Sequence, residues 1–118
     1  MPSILIVDDS RISRQIIRKL LPAGDFEVRE ASSGQECLQL HLQSPADLIF
    51  LDLTMPGWDG FETLSQLKAK DTNVKVVIVT ADIQTGSQSK ALGLGALEVI
   101  CKPPKAEAIK RAVDAYCS

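Results

Sequence analysis

A chain of 118 residues falls within the usual span of one domain. Hydrophobic residues make up 45% and charged residues 24%, a globular balance that excludes a disordered chain, and a formal net charge of −2 without a basic stripe argues against direct nucleic-acid binding. No apolar run approaches the ~20 residues that span a bilayer, and no charged leader opens the chain, so the expectation is a cytoplasmic protein without membrane contact.

The elements alternate from the start. Ile4-Leu5-Ile6-Val7 is a continuous apolar run, the pattern of a strand buried on both faces. Residues 10–21 place Ile12, Ile16, Ile17, Leu20 and Leu21 at helical spacing, with Asp9 or Ser10 as the cap and Pro22 and Gly24 as the stop. Phe26 to Ala31 reads as a second strand. Ser33-Gly34-Gln35-Glu36 has the form of a capping box and opens a helix running to about residue 43. Asp47 to Leu51 is a third strand, followed by a Pro- and Gly-containing loop from Thr54 to Gly60 and a helix carrying Phe61, Leu64 and Leu67.

Val74 to Val79 is the most β-branched run and predicts a fourth strand. Thr85 to Leu92 predicts a weak, mobile helix, because Gly86, Ser87 and Ser89 are poor helix formers. Leu97 to Cys101 is a fifth strand. Pro104 suits the first turn of a last helix that turns Ile109, Ala112, Val113 and Tyr116 inward. Five βα units in strict alternation predict an α/β fold: a doubly wound, flavodoxin-like sandwich with a five-stranded parallel sheet in order 2-1-3-4-5. The expected domain covers residues 1–118, with no output domain. Cys37, Cys101 and Cys117 are widely spaced and odd in number, and read as ordinary thiols.

Ligands of such a sheet bind beyond the carboxyl ends of the strands. The first strand ends in Asp8-Asp9, the third in Asp52, the fourth in Thr80 and the fifth in Lys102. Three clustered carboxylates repel one another, and one lysine offsets a single charge. A divalent ion would resolve the remainder, and carboxylate oxygens favour a hard cation such as Mg²⁺. With a phosphoryl donor the roles follow. Asp52 is the nucleophile. Asp8, Asp9 and Asp52 hold the metal, with a backbone carbonyl near Thr54. Lys102 and Thr80 meet the phosphoryl oxygens.

These residues resemble response-regulator receiver domains of two-component signalling. Val7-Asp8-Asp9-Ser10 is similar to their acidic pair. Leu51-Asp52-Leu53-Thr54-Met55-Pro56-Gly57-Trp58-Asp59-Gly60 is similar to their phosphoacceptor segment, Val79-Thr80-Ala81 to their switch segment, and Ala91 to Ala96 with Lys102-Pro103 to their closing elements. The likeness covers essentially the whole chain and extends to single-domain chemotaxis-type regulators. It implies a sensor histidine kinase or phosphotransfer protein as donor to Asp52. It implies a cis Lys102-Pro103 bond and a downstream protein docking on the face of the fourth and fifth strands and helices. It implies a phosphoacceptor, not an enzyme, that promotes its own phosphotransfer and dephosphorylation. Where many receivers carry an aromatic residue, three positions before the lysine, this chain has Val99, and Thr54 takes the position that tunes phosphate loss.

Taken singly, each residue has a plainer reading: Asp9 as a helix cap, Thr80 as a turn hydroxyl, Lys102 as a solvated lysine, Asp59 as a cap. His41 reads as a surface residue and Trp58 as part of the loop packing or a partner contact. Rival functions are weaker. An aspartate-nucleophile phosphatase would carry a second Asp at position 54, and a flavodoxin would not place two acids after its first strand. A receiver-like module that binds partners without phosphate is the alternative.

Overall fold

A computed structural model describes residues 1–82 and 84–117; Ser118, the last residue of the expected domain, lies outside the described residues. Ten elements alternate along the described residues: β1 (Ser3–Val7), α1 (Arg11–Leu20), β2 (Glu27–Ala31), α2 (Gly34–Gln43), β3 (Leu48–Leu51), α3 (Gly60–Lys70), β4 (Val76–Thr80), α4 (Thr85–Gly93), β5 (Glu98–Cys101) and α5 (Ala106–Tyr116). The five strands form one parallel sheet in the order β2-β1-β3-β4-β5. The flavodoxin-like arrangement expected from the alternation is the one found.

The apolar runs explain the layering. Successive side chains of a strand point to opposite faces. Ile4 and Ile6 therefore join Phe50, Val77 and Val79 against Ile17 of α1 and Ile109, Ala112 and Val113 of α5. Leu5 and Val7 join Ile49, Leu51, Val76 and Ile78 against Leu64 and Leu67 of α3, Cys37 of α2 and Ala91 of α4. β1, β3 and β4 are buried along their whole length because helices cover both faces. The core is aliphatic, with Phe50 its one fully buried Phe, Tyr or Trp ring among the described residues. Among those residues, no helix is long and apolar enough to cross a membrane. The three cysteines are unbonded; burial pushes the Cys37 thiol up to about 12.

Caps set where the helices start. Ser10 takes the Ser13 N–H at 3.3 Å, which assigns the cap of α1 to Ser10 over Asp9. Ser33 takes the Glu36 N–H at 3.1 Å, but the Glu36 carboxylate reaches back to the N–H of Ser32 at 2.7 Å, one residue earlier than a capping box requires. Asp59 caps α3 by accepting the Glu62 N–H at 2.9 Å.

Two local expectations are corrected, those for Pro104 and His41. Pro104 precedes α5: the cap is Lys105 and the helix begins at Ala106. Ile12 and Ile16 follow the helical row but look outward, 70% and 42% exposed, because Ile17 takes the inward position. His41 is buried rather than on the surface. Its Nδ1 accepts the Ala46 N–H at 3.0 Å, so Nε2 carries the hydrogen and donates to Asp71 Oδ2 at 2.9 Å. With both ring nitrogens satisfied, the imidazole packs where an apolar side chain would.

Candidate functional site

The strand ends converge through main-chain pairing. Val7 lies opposite Ala31 and Leu51, and Thr80 opposite Cys101. One residue further on, Asp8 N–H donates to Ala31 O (3.1 Å), Asp52 N–H to Val7 O (3.0 Å) and Lys102 N–H to Thr80 O (2.8 Å). The sheet thus delivers Asp8, Asp52, Thr80 and Lys102 to one edge before any side-chain contact forms.

There one carboxylate oxygen from each of Asp8, Asp9 and Asp52 lies within 4.8 Å of the other two. Asp8 and Asp52 are buried and Asp9 is exposed. Lys102 Nζ donates to Asp8 Oδ2 at 2.7 Å and stands 3.5 Å from Asp52 Oδ2. Asp8 Oδ1 accepts the Ser10 N–H at 2.9 Å. Thr80 is fully buried, and its hydroxyl oxygen accepts the Asp82 N–H at 3.2 Å. Thr54 is exposed and meets the site through its backbone.

The charges of this cluster do not balance. Burial pushes the Asp52 carboxyl above its ordinary range; Lys102 opposes that, Asp8 adds to it, and the Thr54 N–H and Thr80 hydroxyl offset part. Burial also works against the Lys102 ammonium, but Asp8 and Asp52 together outweigh it and hold that group above the usual lysine value. The site is a partly desolvated anionic notch with one fixed cation and more acid than that cation matches.

The loop after β3 is shaped around Asp52. A Cβ on Gly60 would fall 2.4 Å from the Asp52 carbonyl oxygen and 2.6 Å from Leu53 Cα, so only glycine fits where α3 meets the segment that follows β3. Gly57 holds φ +75°, a left-handed turn that an L side chain resists. Half-buried Trp58 packs on the start of α2: a Cβ on Gly34 would lie 3.0 Å from Trp58 Cβ.

Two residues of the site escaped the sequence reading. Ser13 Oγ is 3.4 Å from Lys102 Nζ, and an Arg14 guanidinium nitrogen donates to the Asp8 carbonyl at 2.6 Å. Both sit one helical turn past the Ser10 cap, and that offset from the acidic pair could have located them. Beside them, Ser13, Ile16, Ile17, Ala81, Pro103 and Pro104 line an apolar groove of about 350 Å³ that reaches Lys102.

Comparison with known proteins agrees with this geometry. The family model "Response regulator receiver domain" matches residues 4–114. The chemotaxis protein CheY of Listeria monocytogenes is 37% identical over 115 residues, 97% of each chain. The sporulation initiation phosphotransferase F of Bacillus subtilis is 33% identical over 113 residues, 96% of this chain and 91% of its own. Among solved structures, the CheX–CheY–BeF3–Mg²⁺ complex of Borrelia burgdorferi superposes with a TM-score of 0.89 at 26% identity, over 97% of this chain and 87% of that one. The chain therefore belongs to the response-regulator receiver family, the phosphoacceptors of two-component signalling.

Proposed function

We propose that Asp52 accepts a phosphoryl group from the phosphohistidine of a sensor histidine kinase or phosphotransfer protein in the cytoplasm, with Mg²⁺, and that the phosphorylated chain then docks on a downstream protein. The observation that carries this reading is the packing of the Asp8, Asp9 and Asp52 carboxylates within 4.8 Å around a single ammonium. An all-oxygen, net-anionic donor set open on one side fits a hard divalent ion that keeps several waters. Asp8, Asp9, Asp52 and the Thr54 carbonyl would hold it. When bound there, Mg²⁺ would supply the positive charge that favours ionised Asp52 and offsets the phosphoryl oxygens.

The protein's own groups account for the rest. An ionised Asp52 oxygen attacks phosphorus. The P–N bond of the donor breaks, its electron pair passes to the imidazole nitrogen, and that nitrogen takes a proton from solvent. Lys102, 3.5 Å from Asp52, is positioned to pair with a phosphoryl oxygen as charge moves onto the new group. The buried Thr80 hydroxyl accepts the Asp82 N–H through its oxygen and keeps its own hydrogen to donate to the same group, a contact through which β4 and α4 would respond.

The surfaces suit two partners. Exposed Ile12 and Ile16 and the groove beside Lys102 offer the donor an apolar seat next to Asp52. On the face of β4, α4, β5 and α5, Leu92 and Leu97 are exposed, and Val99, Cys101, Lys105, Ala108 and Arg111 line a second groove for a downstream protein. The Borrelia burgdorferi relative, crystallised with CheX, BeF3 and Mg²⁺, supports both the metal and a separate partner.

The test is incubation with acetyl phosphate, with Mg²⁺ or with a chelator, followed by intact-mass spectrometry. A single phosphoryl adduct that needs Mg²⁺ and is absent from Asp52→Ala is expected. No adduct in either condition would leave a module that binds partners without phosphate.

A further inference from the structure

Asp9 stands apart within the acidic cluster. Asp8 is tied at four points: its N–H to Ala31 O, its carbonyl to Arg14, Oδ1 to Ser10 N–H and Oδ2 to Lys102. Asp9 is exposed, and among the described residues its carboxylate forms no ion pair and no side-chain hydrogen bond. Something other than its own contacts must set where that carboxylate points.

The carbonyl of Asp8 and the nitrogen of Asp9 belong to one rigid peptide plane. Whatever holds that carbonyl fixes the direction in which Asp9 leaves the strand. Arg14 does so, with a 2.6 Å bond from one terminal nitrogen. Its Nε is in turn held by Glu30 Oε1 at 2.8 Å, while the other Glu30 oxygen binds Arg18 at 2.9 Å. The Arg14 side chain is only 15% exposed, so the fork is locked between β2 and the end of β1. We infer that Arg14, braced by Glu30, is a positioning residue for the metal site, and that it orients Asp9 toward the cation through the Asp8–Asp9 peptide without touching either carboxylate. This rests on the metal-site reading above.

The sign of one substitution separates positioning from charge. Arg14→Met removes a positive charge beside an anionic site. Were charge its only role, Mg²⁺ would bind more tightly. As a positioning residue, its loss weakens Mg²⁺ binding by about tenfold, the usual scale for groups that orient ligands. Arg14→Lys keeps the charge but cannot bridge Glu30 and the carbonyl as a fork does, and should fall between. Arg18→Met removes a charge from the same Glu30 without touching Asp8, and should bind Mg²⁺ as tightly as wild type or more so.

The experiment is calorimetric Mg²⁺ titration of the four proteins, with ¹⁵N relaxation of the Asp9 and Ser10 amides measured in chelator. The expected result is the affinity order Arg18→Met and wild type, then Arg14→Lys, then Arg14→Met, together with increased mobility of the Asp9 amide in Arg14→Met. Unchanged or tighter Mg²⁺ binding by Arg14→Met would overturn the inference. A wild type that binds no Mg²⁺ would instead sink the metal-site reading. The amide mobility would then decide the inference by itself, and an Asp9 amide as ordered in Arg14→Met as in wild type would overturn it.

Discussion

Replacing the acceptor by its uncharged isostere should make the metal-free protein more stable. In Asp52→Asn the shape is kept and one buried carboxylate is removed. The ionised carboxylate gains from Lys102 at 3.5 Å, an attraction of about 4.7 kcal/mol at an effective dielectric constant of 20. It is repelled by Asp8 and Asp9, each with an oxygen within 4.8 Å, by about 3.5 kcal/mol apiece on the same scale. Even with the share of exposed Asp9 cut by half for solvent, repulsion exceeds attraction, and burial adds desolvation. A gain of about 1–2 kcal/mol for Asp52→Asn near neutral pH follows from that balance. Because the folded Asp52 carboxyl is raised above its unfolded value, the folded state binds its proton more readily. The destabilisation is absent below the ordinary carboxylate range, grows as pH rises through the window up to the raised value, and is complete above it. The difference between the two proteins should therefore shrink on acidification. Mg²⁺ at one hundred times its Kd should add about 2.7 kcal/mol to the wild type and reverse the order. Urea unfolding in chelator across a pH series, then in Mg²⁺, reads all three effects. An Asp52→Asn protein less stable than wild type in chelator near neutral pH would refute the reasoning.

Other substitutions test separate parts of the molecule. Gly60→Ala drives a methyl into the Asp52 and Leu53 backbone and should cost about 1–3 kcal/mol by thermal unfolding, with slowed phosphorylation of what remains folded. His41→Leu leaves the buried Ala46 N–H without an acceptor and should cost about 1–3 kcal/mol, whereas Asp71→Asn, at the more open end of the same contact, should cost less. In the folded protein the His41 hydrogen bond holds the Asp71 carboxyl below its ordinary range, so the stability it adds is present above that range and is lost as pH falls through the lowered value; Asp71→Asn should flatten that acid limb. Ile12→Ser with Ile16→Ser should change stability by under about 0.5 kcal/mol per site while slowing transfer from a histidine kinase and sparing acetyl phosphate; equal slowing with both donors would show that these residues act on the chemistry and not on docking.

The parts of this molecule that are legible in sequence are those set by local pattern. Ile4 to Val7 and Val76 to Val79 are apolar on consecutive positions, the pattern of a strand covered on both faces, and as parallel strands they bring the residues after them to one sheet edge. Asp8, Asp52, Thr80 and Lys102 are placed by the same rule. What escaped depends on long-range contact. His41 sits in a polar helix, and its burial follows from Asp71, thirty residues away, and from the turn at Ala46. The helical row in α1 holds both inward Ile17 and outward Ile16, and spacing alone does not say which side the sheet covers. Arg14 reads as one of several basic residues on that helix until Glu30, on a neighbouring strand, is seen to fix it.

The central claim is that Asp52 carries the phosphoryl group, and borohydride trapping tests it most directly. An acyl phosphate on aspartate is reduced to homoserine, whereas phosphate on serine, threonine or histidine is not. After phosphorylation in Mg²⁺, reduction and digestion, peptide sequencing by mass spectrometry should find homoserine at position 52 and at no other aspartate. Homoserine at Asp8 or Asp9, or unreduced Asp52 in a protein that has gained phosphate, would contradict the account.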